Sequence, residues 1–168
     1  AWDYFNPRPV GVPRYRPDIV DYVEDRDLWR FSLPNAKEVT AWIQSFDIDL
    51  KTWIDVVGPE FNVERAAAEG ASLLRMQNKY VKQICANAEL RNVGKKEQWI
   101  GPYVETSILM SEVCDHLITT YDGGKYPFAF YSFRRKDGKH QYGMRSRGDF
   151  DVSVIAKEYG GGGHKNAA

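Results

Sequence analysis

The chain has 168 residues, with 23 basic and 23 acidic side chains and a formal net charge of zero. Its hydrophobic fraction of 43% is normal for a folded protein, so the length suits one domain or two small ones. A neutral chain has no overall positive field to hold a long nucleic acid, although a few local residues could still bind a small anionic ligand. No apolar run reaches the roughly 18 residues of a membrane span, so we expect no membrane partner.

Two cysteines, Cys85 and Cys114, lie too far apart in sequence to form a CxxC pair or a zinc-binding spacing. We therefore expect two reduced, buried thiols, although sequence alone leaves a disulfide open. The chain carries no signal-peptide pattern, which favours a cytoplasmic protein. It begins with Ala1 rather than methionine, inside an amphipathic segment, and we expect it to be a processed form or a piece of a longer protein.

The first third of the chain predicts an extended connector followed by short helices. Residues 6–17 contain four prolines, which favour extended backbone. Apolar residues at helical spacing then predict helices over residues 18–31, 32–46 and 47–58. At the start of the second of these helices, Asn35 and Glu38 have the spacing of a capping box. Gly58 and Pro59 are expected to end the third.

The longest helical pattern runs from about Pro59 to Arg91. Apolar residues recur there at steps of three or four and form one face, while polar residues cover the other side. A helix of nearly 30 residues would be long for a small domain. The pattern therefore predicts a helical spacer that joins two modules.

After Gly94 the pattern changes to strands mixed with helices. The predicted strands cover residues 97–109, 126–135 and 140–147, and the predicted helices cover residues 109–121 and 152–160. Asp137 and Gly138 predict a hairpin turn between the last two strands. Asp149 or Asp151 is expected to cap the last helix, and Gly160 to close it. The fold class is therefore α/β or α+β: a helical linker segment, then a small mixed-sheet domain with flanking helices.

Four consecutive glycines, Gly160–Gly163, precede His164 close to the end of the chain. Ordered glycine is entropically costly, but it lets backbone N–H groups approach a ligand without interference from a Cβ atom. Consecutive amides can form a concavity that binds an anion, and His164 can add a donor or a positive charge. The run therefore indicates a phosphate-binding loop; the alternative is a flexible linker or tail.

Arg145 is the natural partner of this loop. It lies in a predicted strand, where alternation places Arg145 and Arg147 on one face and Met144 and Ser146 on the other. An arginine held on a strand offers a planar fork of donors to phosphate oxygens. The alternative for each arginine is an ordinary solvated surface charge.

Residues 144–168, "MRSRGDFDVSVIAKEYGGGGHKNAA", resemble the C-terminal substrate-binding domain of the DHH phosphoesterase family. That family includes RecJ-type exonucleases, short-oligoribonucleotide hydrolases, cyclic-dinucleotide phosphodiesterases and exopolyphosphatases. Residues 22–39, "YVEDRDLWRFSLPNAKEV", also look like members of this family, so the likeness extends over most of the chain.

The resemblance implies an enzyme with two domains joined by a helix. Residues 1–58 would be the C-terminal helices of the catalytic domain, residues 59–91 the linker helix, and residues 92–168 the substrate-binding domain. The complete enzyme would use Mn²⁺ or Mg²⁺, with Asp25, or alternatively Asp27, as a metal ligand. The substrate-binding residues carried over from the family are Arg145, Gly161, Gly162, Gly163, His164 and Asn166.

The chain departs from the family in one important respect. The earlier metal-binding motifs, including the Asp-His-His that names the family, are absent and should lie upstream of Ala1. Asp115-His116 falls in the wrong domain and fits an ordinary pair of helix residues. We therefore expect a missing N-terminal catalytic segment, no metal stably bound by this chain and no hydrolysis by it alone. Loss of that segment would expose apolar surface near Trp2, Phe5 and Trp29, which a homodimer could cover.

Three functions remain open from the sequence. The first is the substrate-binding half of a phosphohydrolase that acts on a short oligonucleotide or nucleotide phosphate, since a neutral chain contacts few phosphates. The second is a non-catalytic nucleotide- or RNA-binding module of a larger protein. The third is a purely structural helical protein with a disordered glycine tail.

Overall fold

The computed structural model describes residues 2–7, 16–47, 49–57 and 61–168. The chain forms two compact units, Ala1–Gln77 and Asn78–Ala168, and their boundary falls inside a long helix. The predicted proline connector lies largely outside the described residues, as do Gly58 and Pro59, the predicted end of the third short helix.

The first unit is helical. Its elements are α1 (Trp2–Phe5), α2 (Asp18–Asp27), α3 (Ala36–Ile43), α4 (Leu50–Val57) and the first part of α5 (Val63–Cys85). Its core combines α2, α3 and α5 through Tyr22, Val39, Trp42 and Ala66. The indole Nε1 of Trp42 donates a hydrogen bond to Glu69 at 2.7 Å, which ties α3 to α5.

The predicted helices of this unit are confirmed, but their ends differ. The capping box is wrong: Asn35 lies at the start of α3 with a φ of 54°, and its side chain makes no capping hydrogen bond. Helix α2 ends at Asp27, and Trp29 and Phe31 beyond it have positive φ values of 54° and 50°. Of the residues expected to be exposed, Phe5 is 76% exposed, while Trp29 packs edge-on against Phe31.

Helix α5 is shorter than its sequence pattern predicts. It has 23 residues, from Val63 to Cys85, and the chain turns at residues 86–87 before a strand begins at Glu89. No helix among the described residues, including this one, is long and apolar enough to cross a membrane.

The second unit contains a four-stranded mixed sheet. Its elements are β1 (Glu89–Val93), β2 (Trp99–Glu105), α6 (Met110–Thr120), a 3-10 turn (Tyr121–Gly124), β3 (Phe128–Arg134), β4 (His140–Ser146) and α7 (Val152–Glu158). The strand order is β1-β2-β3-β4. The two outer pairs are antiparallel, and β2 and β3 run parallel on either side of the α6 crossover.

Each face of the sheet has its own core. We call them the α6 face and the α7 face, after the helix that packs on each. On the α6 face, Val113, Leu117 and the C-terminal turns of α5 cover Ala129 and Tyr131. On the α7 face, Val152 and Ile155 cover Tyr103, Phe128, Phe130 and Met144. Residue alternation along each strand thus determines which side chains can reach which helix.

The predicted α+β fold class is confirmed by this helical unit and mixed-sheet unit. The Asp137-Gly138 turn joins β3 and β4 as expected, with a φ of 81° at Gly138. Of the two caps considered for α7, Asp151 is the one used, since its carboxylate accepts from Ser153 N at 2.9 Å. Strand β1 was not predicted, because residues 89–91 were assigned to the end of the long helix and residues 92–93 to no element. Both cysteines are free thiols.

Candidate functional site

The chain's C-terminal residues extend the sheet beyond β4. Met144 and Ala168 exchange backbone hydrogen bonds of 2.6 and 3.1 Å, and Ser146 N donates to Asn166 O at 3.2 Å. These bonds give residues 166–168 the antiparallel register of a short edge strand. The segment is therefore ordered against β4, which does not fit the alternative of a disordered glycine tail.

A tight turn brings His164 to the outer side of this edge strand. His164 N donates to Ala167 O at 2.8 Å, and Ala167 N donates back to His164 O at 3.1 Å. Ala167 also forms a β-bridge with Arg145 on its other side. Directly opposed residues of antiparallel strands share a face, so Arg145, Ala167 and His164 project to the same side. The structure thus brings Arg145 and His164 together across one small residue.

Arg145 lies on the α6 face, as the alternation of β4 predicts. Its guanidinium donates to Met144 O at 2.8 Å and to Ser111 Oγ on α6 at 3.0 Å. Both acceptors are neutral, and no carboxylate among the residues described here forms an ion pair with Arg145. Arg147, one step along the same face, instead pairs with Asp115 at 2.6 Å. Of these two arginines, the half-buried Arg145 is therefore the one without a counterion in the described chain.

Buried groups lie beneath the Arg145 guanidinium. Burial raises the pKa of the Cys114 thiol to about 12, and the charge of Arg145 opposes that rise. Burial also raises the pKa of Tyr131, and the positive charge of Arg145 again opposes that rise. The arginine therefore sits where water screens its charge less than at an open surface.

Two of the four glycines are required by the fold. Gly160, with a φ of 76°, ends α7 and donates to Lys157 O at 3.1 Å. Gly163 has a φ of 140°, and a Cβ atom there would lie 2.5 Å from Ala167 O and 2.5 Å from the Ala168 Cα. Glycine at these positions lets α7 end and lets the chain turn back against its own C-terminal strand.

Gly162 has no such requirement. A Cβ atom at this position would meet nothing within 4 Å, and its φ is outside the left-handed region. Within the described chain, neither Gly162 N nor Gly163 N donates to a protein acceptor, whereas Gly161 N donates to Ala156 O at 2.9 Å. The N–H groups of Gly162 and Gly163 thus remain without a protein acceptor beside His164, and at Gly162 the fold would also accept a side chain.

Asn166 has a structural contact that the sequence did not indicate. Its amide nitrogen donates to Ser146 Oγ at 3.0 Å and lies 3.4 Å from Ser146 O and Gly148 O. The same register places Asn166 opposite Ser146, toward the α7 face. Its side chain therefore fastens the edge strand and points away from the face that Arg145 and His164 share.

Asp25 belongs to the first unit, and its carboxylate accepts hydrogen bonds from the loop that follows α2. It is only 4% exposed, and its carboxylate accepts from Ser32 N at 2.9 and 3.1 Å, from Ser32 Oγ at 2.7 Å and from Leu33 N at 3.2 Å. Burial opposes ionisation of Asp25, but these hydrogen bonds outweigh it and lower its pKa. Asp27 is exposed and lies 3.8 Å from the Arg26 guanidinium.

These two aspartates do not by themselves make a metal site. A carboxylate has about four lone-pair positions, and those of Asp25 face the Ser32 and Leu33 donors. In the described ranges, no group of three or more His, Cys, Asp or Glu side chains could hold a metal ion. A divalent ion at Asp25 would therefore need further ligands and a rearranged loop.

The contact between the β1–β2 loop and the end of α7 was not predicted from the sequence. Glu158 Oε2, near the end of α7, accepts from Lys95 N at 2.5 Å and Lys96 N at 3.0 Å. Tyr159 Oη accepts from Gly94 N at 3.1 Å, and the Lys95 ammonium lies 4.8 Å from the Tyr159 ring centroid. The two consecutive lysines were visible in the sequence as a basic turn. Their attachment to the residues just before the glycine run was not.

A concavity of about 530 Å³ lies on the β1 side of the sheet, near the end of α5. Two of its charged residues already pair: Arg91 lies 2.5 Å from Glu89, and its guanidinium lies 4.1 Å from the Tyr103 ring centroid. We therefore regard the C-terminal edge, where Arg145 meets only neutral acceptors, as the stronger candidate.

No protein-family model matches the chain. The chain is 28% identical over 172 residues to the uncharacterized protein R106 of Acanthamoeba polyphaga mimivirus. That alignment covers 100% of this chain and 39% of the relative, so the chain spans less than half of the curated protein that it matches. An uncharacterized protein from Helicobacter pylori G27, solved by crystallography, shares 13% identity at a TM-score of 0.35, over 92% of this chain and 55% of that one.

Proposed function

We propose that this chain is the substrate-binding part of a metal-dependent phosphohydrolase that acts on short oligonucleotides or nucleotide phosphates. The resemblance of residues 144–168 to the DHH phosphoesterases led to this hypothesis, and the contacts at the C-terminal edge support it. In this proposal the chain binds the phosphate-bearing end of its ligand and does not hydrolyse it alone.

One observation carries the proposal: Arg145, with no carboxylate partner in the described structure, shares a face with His164 beside unused glycine N–H groups. A half-buried cation without a counterion is costly, and an anionic ligand would reduce that cost. Backbone N–H groups of consecutive glycines favour the same kind of ligand. A terminal phosphate, with two negative charges and several acceptor oxygens, suits this combination.

The available donors are sufficient for one phosphate group. A guanidinium has five N–H groups, and Arg145 uses two nitrogens for Met144 O and Ser111 Oγ. Three kinds of donor are left for the phosphate oxygens. They are the remaining N–H groups of the Arg145 guanidinium, the backbone N–H groups of Gly162 and Gly163, and the ring of His164. Ala167 between them carries only a methyl group, so the ligand can lie between the arginine and the histidine.

The catalytic metal of the complete enzyme remains part of the proposal, and no described residue is assigned to it. Mn²⁺ or Mg²⁺ would be held by residues outside this chain, with Asp25 contributing only if its loop rearranged.

A second candidate is a non-catalytic nucleotide- or RNA-binding module. The complete use of the Asp25 carboxylate by Ser32 and Leu33 favours it, because that aspartate then needs no metal to explain its burial. The full-length gene separates the two candidates: an upstream segment with clustered Asp and His residues would support the hydrolase and reject the module.

Calorimetry with a 5′-phosphorylated RNA dinucleotide, pApA, tests the binding site. We expect the wild-type chain to bind pApA and to bind the unphosphorylated dinucleotide ApA much more weakly. His164→Ala should weaken pApA binding by about tenfold or more, the value of one charge-assisted hydrogen bond. His140→Ala is the matched control, since His140 is exposed at the far end of β4.

Three outcomes would contradict the proposal: no binding of pApA by the wild-type chain, equal binding of ApA, or equal losses in the two histidine variants. Turnover of pApA by this chain with Mn²⁺ would contradict the part of the proposal that places the catalytic residues elsewhere.

A further inference from the structure

A second group of basic residues lies at the other end of the glycine loop, Gly160–Gly163. The β1–β2 loop contacts the last residues before it, through Glu158 and Tyr159. Glu158 holds the backbone N–H groups of Lys95 and Lys96, so both lysine side chains remain exposed. Their ammonium groups form no ion pair with any residue in the described ranges; that of Lys95 lies over the Tyr159 ring.

The strand register places this loop and Arg145 at the same end of the sheet. β2 runs parallel to β3, so the start of β2, where the β1–β2 loop ends, lies beside the start of β3. Arg145 pairs with Ala129, also near the start of β3. Three strand spacings, about 14 Å, separate β1 from β4, and Arg145 is level with Leu90, three residues before β1 ends at Val93. The glycine loop runs from Tyr159, on the β1–β2 side, to His164, on the β4 side.

We infer that Lys95, Lys96 and Tyr159 form a second subsite, which binds the next nucleotide of a single-stranded ligand. The lysines would contact its phosphodiester, and the exposed part of the Tyr159 ring would stack with a base. Single-stranded nucleic acid is commonly bound by this combination of cations along the backbone and aromatic rings under the bases. The inference rests on the proposed phosphate site and narrows its ligand to an oligonucleotide of at least two nucleotides.

The contacts of Tyr159 favour a stacking role. Tyr159 is 53% exposed, and its hydroxyl accepts from Gly94 N at 3.1 Å. That hydrogen bond anchors the hydroxyl end of the side chain, so less side-chain entropy is lost when a base stacks on the ring. The Lys95 ammonium, 4.8 Å from the ring centroid, would contact the phosphate of the nucleotide whose base stacks there.

Two neighbouring carboxylates reduce the positive charge here without removing it. Glu158 accepts from the two backbone N–H groups, and these bonds lower its pKa. Glu97 lies in the same loop, while Lys157 adds a third cation on α7. The net charge of the group is therefore positive, but small. A short ligand with one or two extra phosphates fits it better than a long polyanion.

The test compares the affinities of AMP, pApA and pApApA for the full chain and for Lys95→Met/Lys96→Met. Methionine keeps an unbranched side chain of similar length beside Tyr159, and the hydrogen bonds to Glu158 use backbone N–H groups, so the fold should be retained. The matched control is Lys136→Met/Lys139→Met, which removes the same charge from the β3–β4 turn at the opposite end of the sheet.

We expect pApA and pApApA to bind wild type more tightly than AMP, and the Lys95/Lys96 variant to lose about tenfold in affinity for both. Its affinity for AMP should equal that of wild type. Its salt dependence for pApApA should also fall, with a slope smaller by about 0.7 for each phosphate that the variant no longer neutralises.

The second subsite is overturned if AMP binds and pApA binds no more tightly. It is also overturned if the Lys95/Lys96 variant behaves like the control, or weakens AMP as much as pApA. In these cases the phosphate site itself would stand. Failure of wild type to bind either AMP or pApA would instead reject the proposed function, and the second subsite with it.

Discussion

The Asp25 loop and the C-terminal glycine loop differ in how their polar groups are satisfied. At Asp25, three donors from Ser32 and Leu33 meet one buried carboxylate, so the group is fully used by the fold. At the glycine loop, two backbone N–H groups and the charge of Arg145 have no acceptor or counterion in the described chain. Both regions were candidate sites by resemblance, yet only the second has unused binding capacity.

The presence or absence of protein partners for polar groups distinguishes residues that stabilise the fold from residues that are available to bind a ligand. Buried polar groups in folded proteins almost always have partners, so a satisfied aspartate needs no functional explanation. A half-buried cation that meets only neutral acceptors, next to free N–H groups, does need one. The glycine run can be divided in a similar way. At Gly163 the fold requires glycine because a Cβ atom would clash, whereas at Gly162 it does not.

The largest expected effect is that of Gly163→Ala. The new Cβ would lie 2.5 Å from Ala167 O, at a φ of 140° that non-glycine residues avoid. Residues 164–168 should detach from β4, with a loss of stability of roughly 1–3 kcal/mol. Hydrogen exchange measures this directly, because the amides of Met144 and Ser146 donate to Ala168 and Asn166 and should lose protection.

Gly162→Ala is the matched control for that change. Nothing lies within 4 Å of its Cβ position, so stability should be unchanged or higher by about 0.4–1 kcal/mol. If a phosphate approaches this backbone, however, binding of pApA should weaken in the stable Gly162→Ala variant. Equal loss of protection in the two variants would show that the steric difference between these glycines is not real.

Much of the fold could be predicted from periodicity. The helices of the first unit, the three predicted strands and the α+β class follow from apolar spacing and turn residues, because core faces repeat at 3.6 or 2 residues. Strand β1, Glu89–Val93, was not predicted because its residues are mostly exposed and the preceding helical pattern continues to about Arg91. The capping box failed because Asn35 adopts a left-handed backbone conformation rather than the extended one of a capping residue, and its side chain makes no capping hydrogen bond.

Less of the site could be predicted, because its contacts join residues far apart in sequence. Alternation along β4 correctly placed Arg145 and Arg147 on one face. It could not show that Asp115 neutralises Arg147 while Arg145 meets only neutral acceptors. Nor could it show that Glu158 holds the β1–β2 loop. A glycine run is visible in sequence, but which glycine the fold requires is a question of three-dimensional packing.

Asp25→Asn tests the Asp25 loop, the other region of the comparison. We expect a smaller loss of stability than for Gly163→Ala. The amide removes a charged acceptor from Ser32 and Leu33, so the thermal midpoint at pH 7 should fall. The pKa of Asp25 is lowered in the folded state, so its contribution is complete above its unfolded value of about 3.9. It is lost as the pH falls toward the folded value, and the two midpoints should then converge.

Asp27→Asn is the control for this series, because Asp27 is exposed on the same helix. Its midpoint should follow that of wild type at every pH from about 3 to 7. A midpoint of Asp25→Asn equal to that of wild type at pH 7 would mean that the hydrogen bonds to Ser32 and Leu33 do not stabilise the loop. The case for a metal-binding role of Asp25 would then be stronger.

The smallest effect is expected at Asn166, where the resemblance and the contacts point to different roles. The resemblance makes Asn166 a substrate ligand, whereas its amide donates to Ser146 Oγ and faces away from Arg145. Asn166→Ala should therefore cost about 1 kcal/mol in urea-induced unfolding and leave the affinity for pApA within about twofold of wild type. Weakened binding at unchanged stability would reverse that assignment. It would mean that the amide leaves Ser146 when a ligand arrives, and that satisfied hydrogen bonds in this region do not exclude a residue from the site.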